Sequence, residues 1–131
     1  LLTALGEQVH VLRDPTRGGL ATTLNEIAAQ SKVSIEIDEQ AVPIHPAVAS
    51  ACEFLGLDPL YIANEGKLIV IVEEDVAQEA LSIIRSCKYG ENAAVIGRVS
   101  SEQPGFVSMK TAIGGKRLVD WLNSDPLPRI C

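Results

Sequence analysis

No run of Lys or Arg occurs anywhere in the 131 residues, and the formal net charge is −6. That balance excludes a non-specific nucleic-acid or anionic-membrane surface, which needs clustered cations. Long apolar runs are missing too: residues 68–72 (LIVIV), one of the longest, fall far short of the roughly 20 residues that a membrane-spanning helix needs. No basic, apolar and small-residue signal opens the chain, so cytoplasm is the default location. The three cysteines are odd in number and widely spaced, with no Cys-x-x-Cys pair, which leaves neither a zinc site nor a disulfide framework. His10 and His45 are too isolated for a metal constellation, and both read as satisfied structural histidines. An initiating methionine is absent as well. The chain begins at Leu1, its one methionine is Met109, and residues 1–6 (LLTALG) read as a helix entered partway, so a fragment of a longer protein is expected.

What is present describes one soluble globular domain: 47% hydrophobic and 21% charged residues with few aromatics. Domains of about 100–150 residues commonly fold without a disulfide or structural metal. Strand and helix patterns alternate. Residues 9–12 read as a short strand, and a helix follows over residues 18–30, in which Leu20, Leu24, Ile27 and Ala28 form one apolar stripe. Residues 33–37 alternate with period two, as a strand with one exposed face does. A helix over residues 47–55 is expected to stop at Gly56. Residues 68–72, apolar and rich in β-branched side chains, suit a central strand covered on both faces. Glu73, Glu74 and Asp75 then occupy the first turn of a helix running to Cys87, where the helix dipole favours carboxylates. Strands over residues 93–99 and 105–110, a turn at Gly114 and Gly115, and an apolar run over residues 118–122 complete the pattern. The alternation predicts an α/β fold with a mixed sheet. Cys52 and Cys87 read as small buried hydrophobes and Trp121 as core or interface.

Three places carry chemistry. The first is the junction of residues 14–19 (DPTRGG) between strand and helix, where paired glycines allow close backbone approach, the helix N-terminus favours anions and Arg17 can fork onto a phosphate. The competing reading is that Asp14 or Thr16 merely caps the helix. The second is residues 61–67 (YIANEGK), where Glu65, at the mouth of a buried strand, is partly desolvated and a proton acceptor. Its bland alternative is a turn with Asn64 and Gly66 left-handed and Glu65 paired with Lys67. The third is Cys131. A terminal thiol fills no core, and the prolines at 126 and 128 favour an extended, mobile arm.

Residues 10–20 (HVLRDPTRGGL), 57–67 (LDPLYIANEGK), 94–99 (AVIGRV), 111–115 (TAIGG) and the terminal Pro-Arg-Ile-Cys together resemble the C-terminal half of the HypE family of [NiFe]-hydrogenase maturation factors. That family sits in the aminoimidazole ribonucleotide (AIR) synthetase superfamily, whose members share the junction motif, whereas the Pro-Arg-Ile-Cys end is specific to HypE. The resemblance implies a three-layer α/β/α domain over residues 1–122, partly ferredoxin-like, and a tail over residues 123–131. It implies an ATP-dependent carbamoyl dehydratase: a HypF-type carbamoyltransferase loads a carboxamide onto Cys131, ATP-driven dehydration makes a thiocyanate, and the cyanide passes to iron on a HypC–HypD complex. By the same resemblance Glu65 is the base, and Asp14, Thr16, Arg17, Gly18 and Gly19 lie near the nucleotide phosphates. The main ATP and Mg2+ ligands, and much of a homodimer interface, belong to an N-terminal domain absent from this chain, so the fragment alone is expected to be inactive. Two other classes stay open: a superfamily enzyme acting on a free small molecule, and a non-catalytic module whose tail is a docking peptide.

Overall fold

In a computed structural model, residues 1–121 are described; the expected tail and Cys131 lie outside the described residues. A one-turn helix, α1 (Leu2–Leu5), leads through a 3-10 turn into β1 (Val9–Arg13). The long helix α2 (Gly19–Ser31) buries Leu24, Ile27 and Ala28 of the stripe its sequence period dictates, with Leu20 half-buried and Ala21 buried beside them. Next, β2 (Ser34–Asp38) turns Ile35 and Ile37 into the core and leaves the alternate residues half-buried. Helix α3 (Pro46–Leu55) starts where His45 Nδ1 accepts from the Ala47 N–H, with Pro46 at its first position. It stops at Gly56, whose φ of 66° reaches the left-handed region expected past a helix end.

The strands fall into two groups. β3 (Ile69–Val72) pairs antiparallel with β1 from Val9↔Val72 to Arg13↔Ile69, with a register shift between Val9 and Val11. After a 3-10 turn (Glu74–Val76), helix α4 (Ala77–Ser86) leads to β4 (Gly97–Ser100), β5 (Val107–Lys110) and β6 (Lys116–Leu118). These join β2 in a sheet of order β4-β2-β5-β6, antiparallel at β2/β4 and β5/β6 and parallel at β2/β5. The sheet is mixed, as the alternation predicts. Its core lies where α2 crosses β2 and β5: Ile37 faces Met109 in register, and each is 1% exposed. Burying each of these side chains contributes roughly 1.5–3 kcal/mol, so a charge at Met109 would break the sheet from its centre.

Several expectations are corrected. β3 is no mid-sheet strand: among the described residues it pairs only with β1, and of its side chains only Ile69 is fully buried. A β-branched run specifies a strand but not its neighbours. The carboxylates of Glu74 and Asp75 sit in the 3-10 entry rather than in the first turn of α4. Cys52 is buried, but Cys87 is exposed just past the end of α4, where its Sγ donates to the Ile83 carbonyl at 3.3 Å. His10 is exposed too, its Nε2 4.0 Å from Glu73 Oε1. Trp121 is 45% exposed, which sets aside the core half of its core-or-interface reading. β6 was hidden by its charged residues, since an edge strand needs no apolar face. No helix among the described residues is long and apolar enough to cross a membrane.

Candidate functional site

The junction between β1 and α2 is held at both ends. Arg13, the last residue of β1, forms an ion pair with Glu26 on α2 at 2.6 Å. Pro15, Gly18 and Gly19 are buried, Thr16 is half-buried, and Asp14 and Arg17 are exposed. Gly18, with φ of 70°, stands just before helix α2, and among the described residues no side chain caps the helix. The capping role weighed for Asp14 and Thr16 is therefore not the one they play. Gly19 has φ of 63°, and a Cβ there would lie 2.5 Å from the Leu60 carbonyl oxygen and 2.6 Å from that of Ile62. Glycine is required at this position because another backbone runs against it.

That other backbone is the second motif. The Asn64 N–H donates to both the Pro15 carbonyl, at 3.3 Å, and the Thr16 carbonyl, at 3.2 Å. Two segments read separately in sequence thus form one surface, with Glu65 directly after the shared amide. Glu65 is exposed rather than desolvated at a strand mouth. Half of the turn alternative is found: Gly66 has φ of 72°, but Asn64 is not left-handed and no Glu65–Lys67 ion pair forms among the described residues.

The start of α2 suits a phosphate-bearing group. Its first N–H groups have no side-chain cap, and the helix dipole is positive there. In its first turn the Thr22 hydroxyl is buried without a partner among the described residues, so close to Gly18 that a Cβ on that residue would overlap it. Uncapped amides, an unpaired hydroxyl and the exposed Arg17 make a donor set with the chemistry of anion recognition. A cavity of about 180 Å³ opens elsewhere, lined by Asp58, Leu60, Met109 and Arg117 among others. It is too small for a nucleotide, since ligand pockets run to about 300–1,000 Å³. No cluster of three or more His, Cys, Asp or Glu residues is placed to hold a metal ion among the described residues.

Sequence reasoning assigned no role to the residues that brace this surface. Asp58 Oδ1 accepts from the Leu60 N–H at 3.0 Å, and its Oδ2 lies 2.6 Å from Arg117 Nη2 on β6. The Tyr61 hydroxyl donates to the Asp120 carbonyl at 3.0 Å. Burial first, and then the Asp58 charge, raise the phenol above its ordinary value of 10.0, which keeps it a donor. Asp58 before Pro59 was a legible turn signal; its cationic partner, far along the chain, was not.

A family model described as "AIR synthase related protein, C-terminal domain" matches residues 1–110. The chain is 53% identical over 131 residues to "Carbamoyl dehydratase HypE" from Rhizobium leguminosarum bv. viciae, covering 100% of this chain and 37% of that protein. Among solved structures it is similar to "Hydrogenase Maturation Protein HypE in complex with ATP", with a TM-score of 0.88 and 54% identity over 95% of this chain and 38% of that one. It is also similar to a chain of a "HypE-HypF complex", with a TM-score of 0.87 and 47% identity over 92% of this chain and 39% of that one. The chain thus spans well under half the length of the relatives it matches.

Proposed function

The chain belongs to the AIR synthase related protein C-terminal domain family, and from that premise we propose that it is the C-terminal part of an ATP-dependent carbamoyl dehydratase serving hydrogenase maturation. The substrate is an S-carboxamide on Cys131, placed there by a HypF-type carbamoyltransferase, and the product is a thiocyanate whose cyanide goes to iron on a HypC–HypD complex. In this reading residues 1–122 form the domain, residues 123–131 form the arm that carries the substrate, and the whole protein is a cytoplasmic homodimer. The observation that supports it best is the Asn64 N–H shared between the Pro15 and Thr16 carbonyls, which makes the anion-binding junction and Glu65 neighbours.

ATP supplies a phosphoryl group that turns the carboxamide oxygen into a leaving group. The C–O bond then breaks, the oxygen departs with phosphate, both N–H protons are lost, and a carbon–nitrogen triple bond remains on sulfur. Glu65 is exposed and can accept a proton from that nitrogen. The uncapped N–H groups at the start of α2, the Thr22 hydroxyl and Arg17 would hold phosphate oxygens, and Asp14, Thr16, Gly18 and Gly19 shape that junction. Mg2+ would be held mainly by the part of the protein that this chain lacks.

The test is a deletion of residues 128–131 from the full-length protein. The tethered-substrate reading predicts that every ATP-dependent dehydration is lost. Full turnover of a diffusible small molecule by the truncated protein would overturn it.

A further inference from the structure

We propose that Tyr61 is a positioning residue: its hydroxyl fixes the root of the segment carrying Cys131 beside the surface formed by residues 14–19 and 64–65. This rests on the function proposed above.

The root is fixed by a set of long-range contacts that converge on residues 117–120. Arg117 is paired with Asp58 at 2.6 Å, the Val119 N–H donates to the Val107 carbonyl at 2.9 Å, and Asn25 Nδ2 of the buried α2 face donates to the Val119 carbonyl at 2.8 Å. Val119 itself is 1% exposed. The outermost contact is the Tyr61 hydroxyl on the Asp120 carbonyl, immediately before Trp121, the last residue described. Two of the groups holding this root, Asn25 and Tyr61, come from the elements that build the candidate site. Asn25 lies on the helix that begins at Gly19, and Tyr61 lies three positions before Asn64 with its ring packed on the main core.

Geometry gives the contact a purpose beyond stability. Cys131 lies eleven positions beyond Asp120, so a fully extended chain reaches at most roughly 40 Å from the root. The effective concentration of a tethered group depends on where its tether starts as well as on its length. A root held by the Tyr61 hydroxyl starts the tether on the segment that runs on to Glu65; a root released from Tyr61 sweeps a larger volume. The raised phenol keeps its proton and hence its donor role across the neutral range.

The experiment compares wild-type and Tyr61→Phe full-length protein, each carbamoylated at Cys131, in a single turnover at saturating ATP followed by mass spectrometry. Water loss is expected to slow roughly fivefold, the scale of one neutral hydrogen bond, with ATP affinity and the rate of carbamoylation unchanged. Amide exchange at residues 119–121 is expected to quicken in the same variant. An unchanged rate of water loss overturns the proposal, and so does a slowing matched by an equal loss of ATP affinity, the mark of general damage. Absence of water loss in the wild type overturns the dehydratase reading instead; unchanged amide exchange would then separately overturn the anchoring.

Discussion

The backbone N–H of Asn64 is shared between the carbonyl oxygens of Pro15 and Thr16, at 3.2 Å from the latter. This one amide ties the loop before α2 to the loop before β3, and it does so without any side chain. The two loops are further locked where Gly19 lies under the carbonyls of Leu60 and Ile62. Any group bound at the start of α2 is therefore held by the same unit that carries Glu65.

Gly19→Ala tests that lock. Its positive φ and the collision of the new Cβ with two carbonyl oxygens should cost about 2–4 kcal/mol. Gly66→Ala, with φ of 72° but open space around it, carries only the conformational strain, about 1 kcal/mol. Urea unfolding of the two variants measures the difference, and equal losses would contradict the packing argument.

Asp58 has two jobs that two substitutions separate. Asp58→Asn keeps an acceptor for the Leu60 N–H but loses the charge facing Arg117, so it should cost about 0.5–1 kcal/mol and matter less at high salt. Asp58→Ala loses the cap as well, for a total of about 1–2 kcal/mol. Denaturation midpoints at two salt concentrations check both, and a salt-independent cost for Asp58→Asn would rule out the ion pair.

Local pattern made much of the fold legible. The stripe of α2, the alternation of β2 and the proline and glycine that bound α3 are each written within one element, where period and capping act. What could not be read is pairing. Nothing in residues 69–72 says that their partner is β1, and nothing in the Lys-Arg-Leu of β6 says that it borders β5. The site divides in the same way. Residues 14–19 and Glu65 stood out by type and spacing, but their meeting rests on a backbone amide, which any residue could supply. Cys131 was legible by its position alone and lies outside the described residues.

Tyr61 gives a pH signature. Its folded value lies above the ordinary 10.0, chiefly through burial, so folding favours the neutral phenol. The sign follows: the contribution is fully present below the unfolded value and is lost as pH rises through the folded one. The stability gap between wild type and Tyr61→Phe should stay level from neutral pH to about 9 and shrink above about 10. Urea unfolding across that range checks it, and a gap that widened with alkali would contradict the burial that favours the neutral phenol.

The most direct measurement is the mass of Cys131 in full-length protein that has been carbamoylated by its partner enzyme and then given ATP. The dehydratase account predicts that the wild type loses the mass of one water at Cys131, that Glu65→Gln retains the carboxamide over the same interval, and that Cys131→Ala shows no change. A wild-type carboxamide that survives ATP unaltered, or a Glu65→Gln protein that loses water as fast as the wild type, would contradict it.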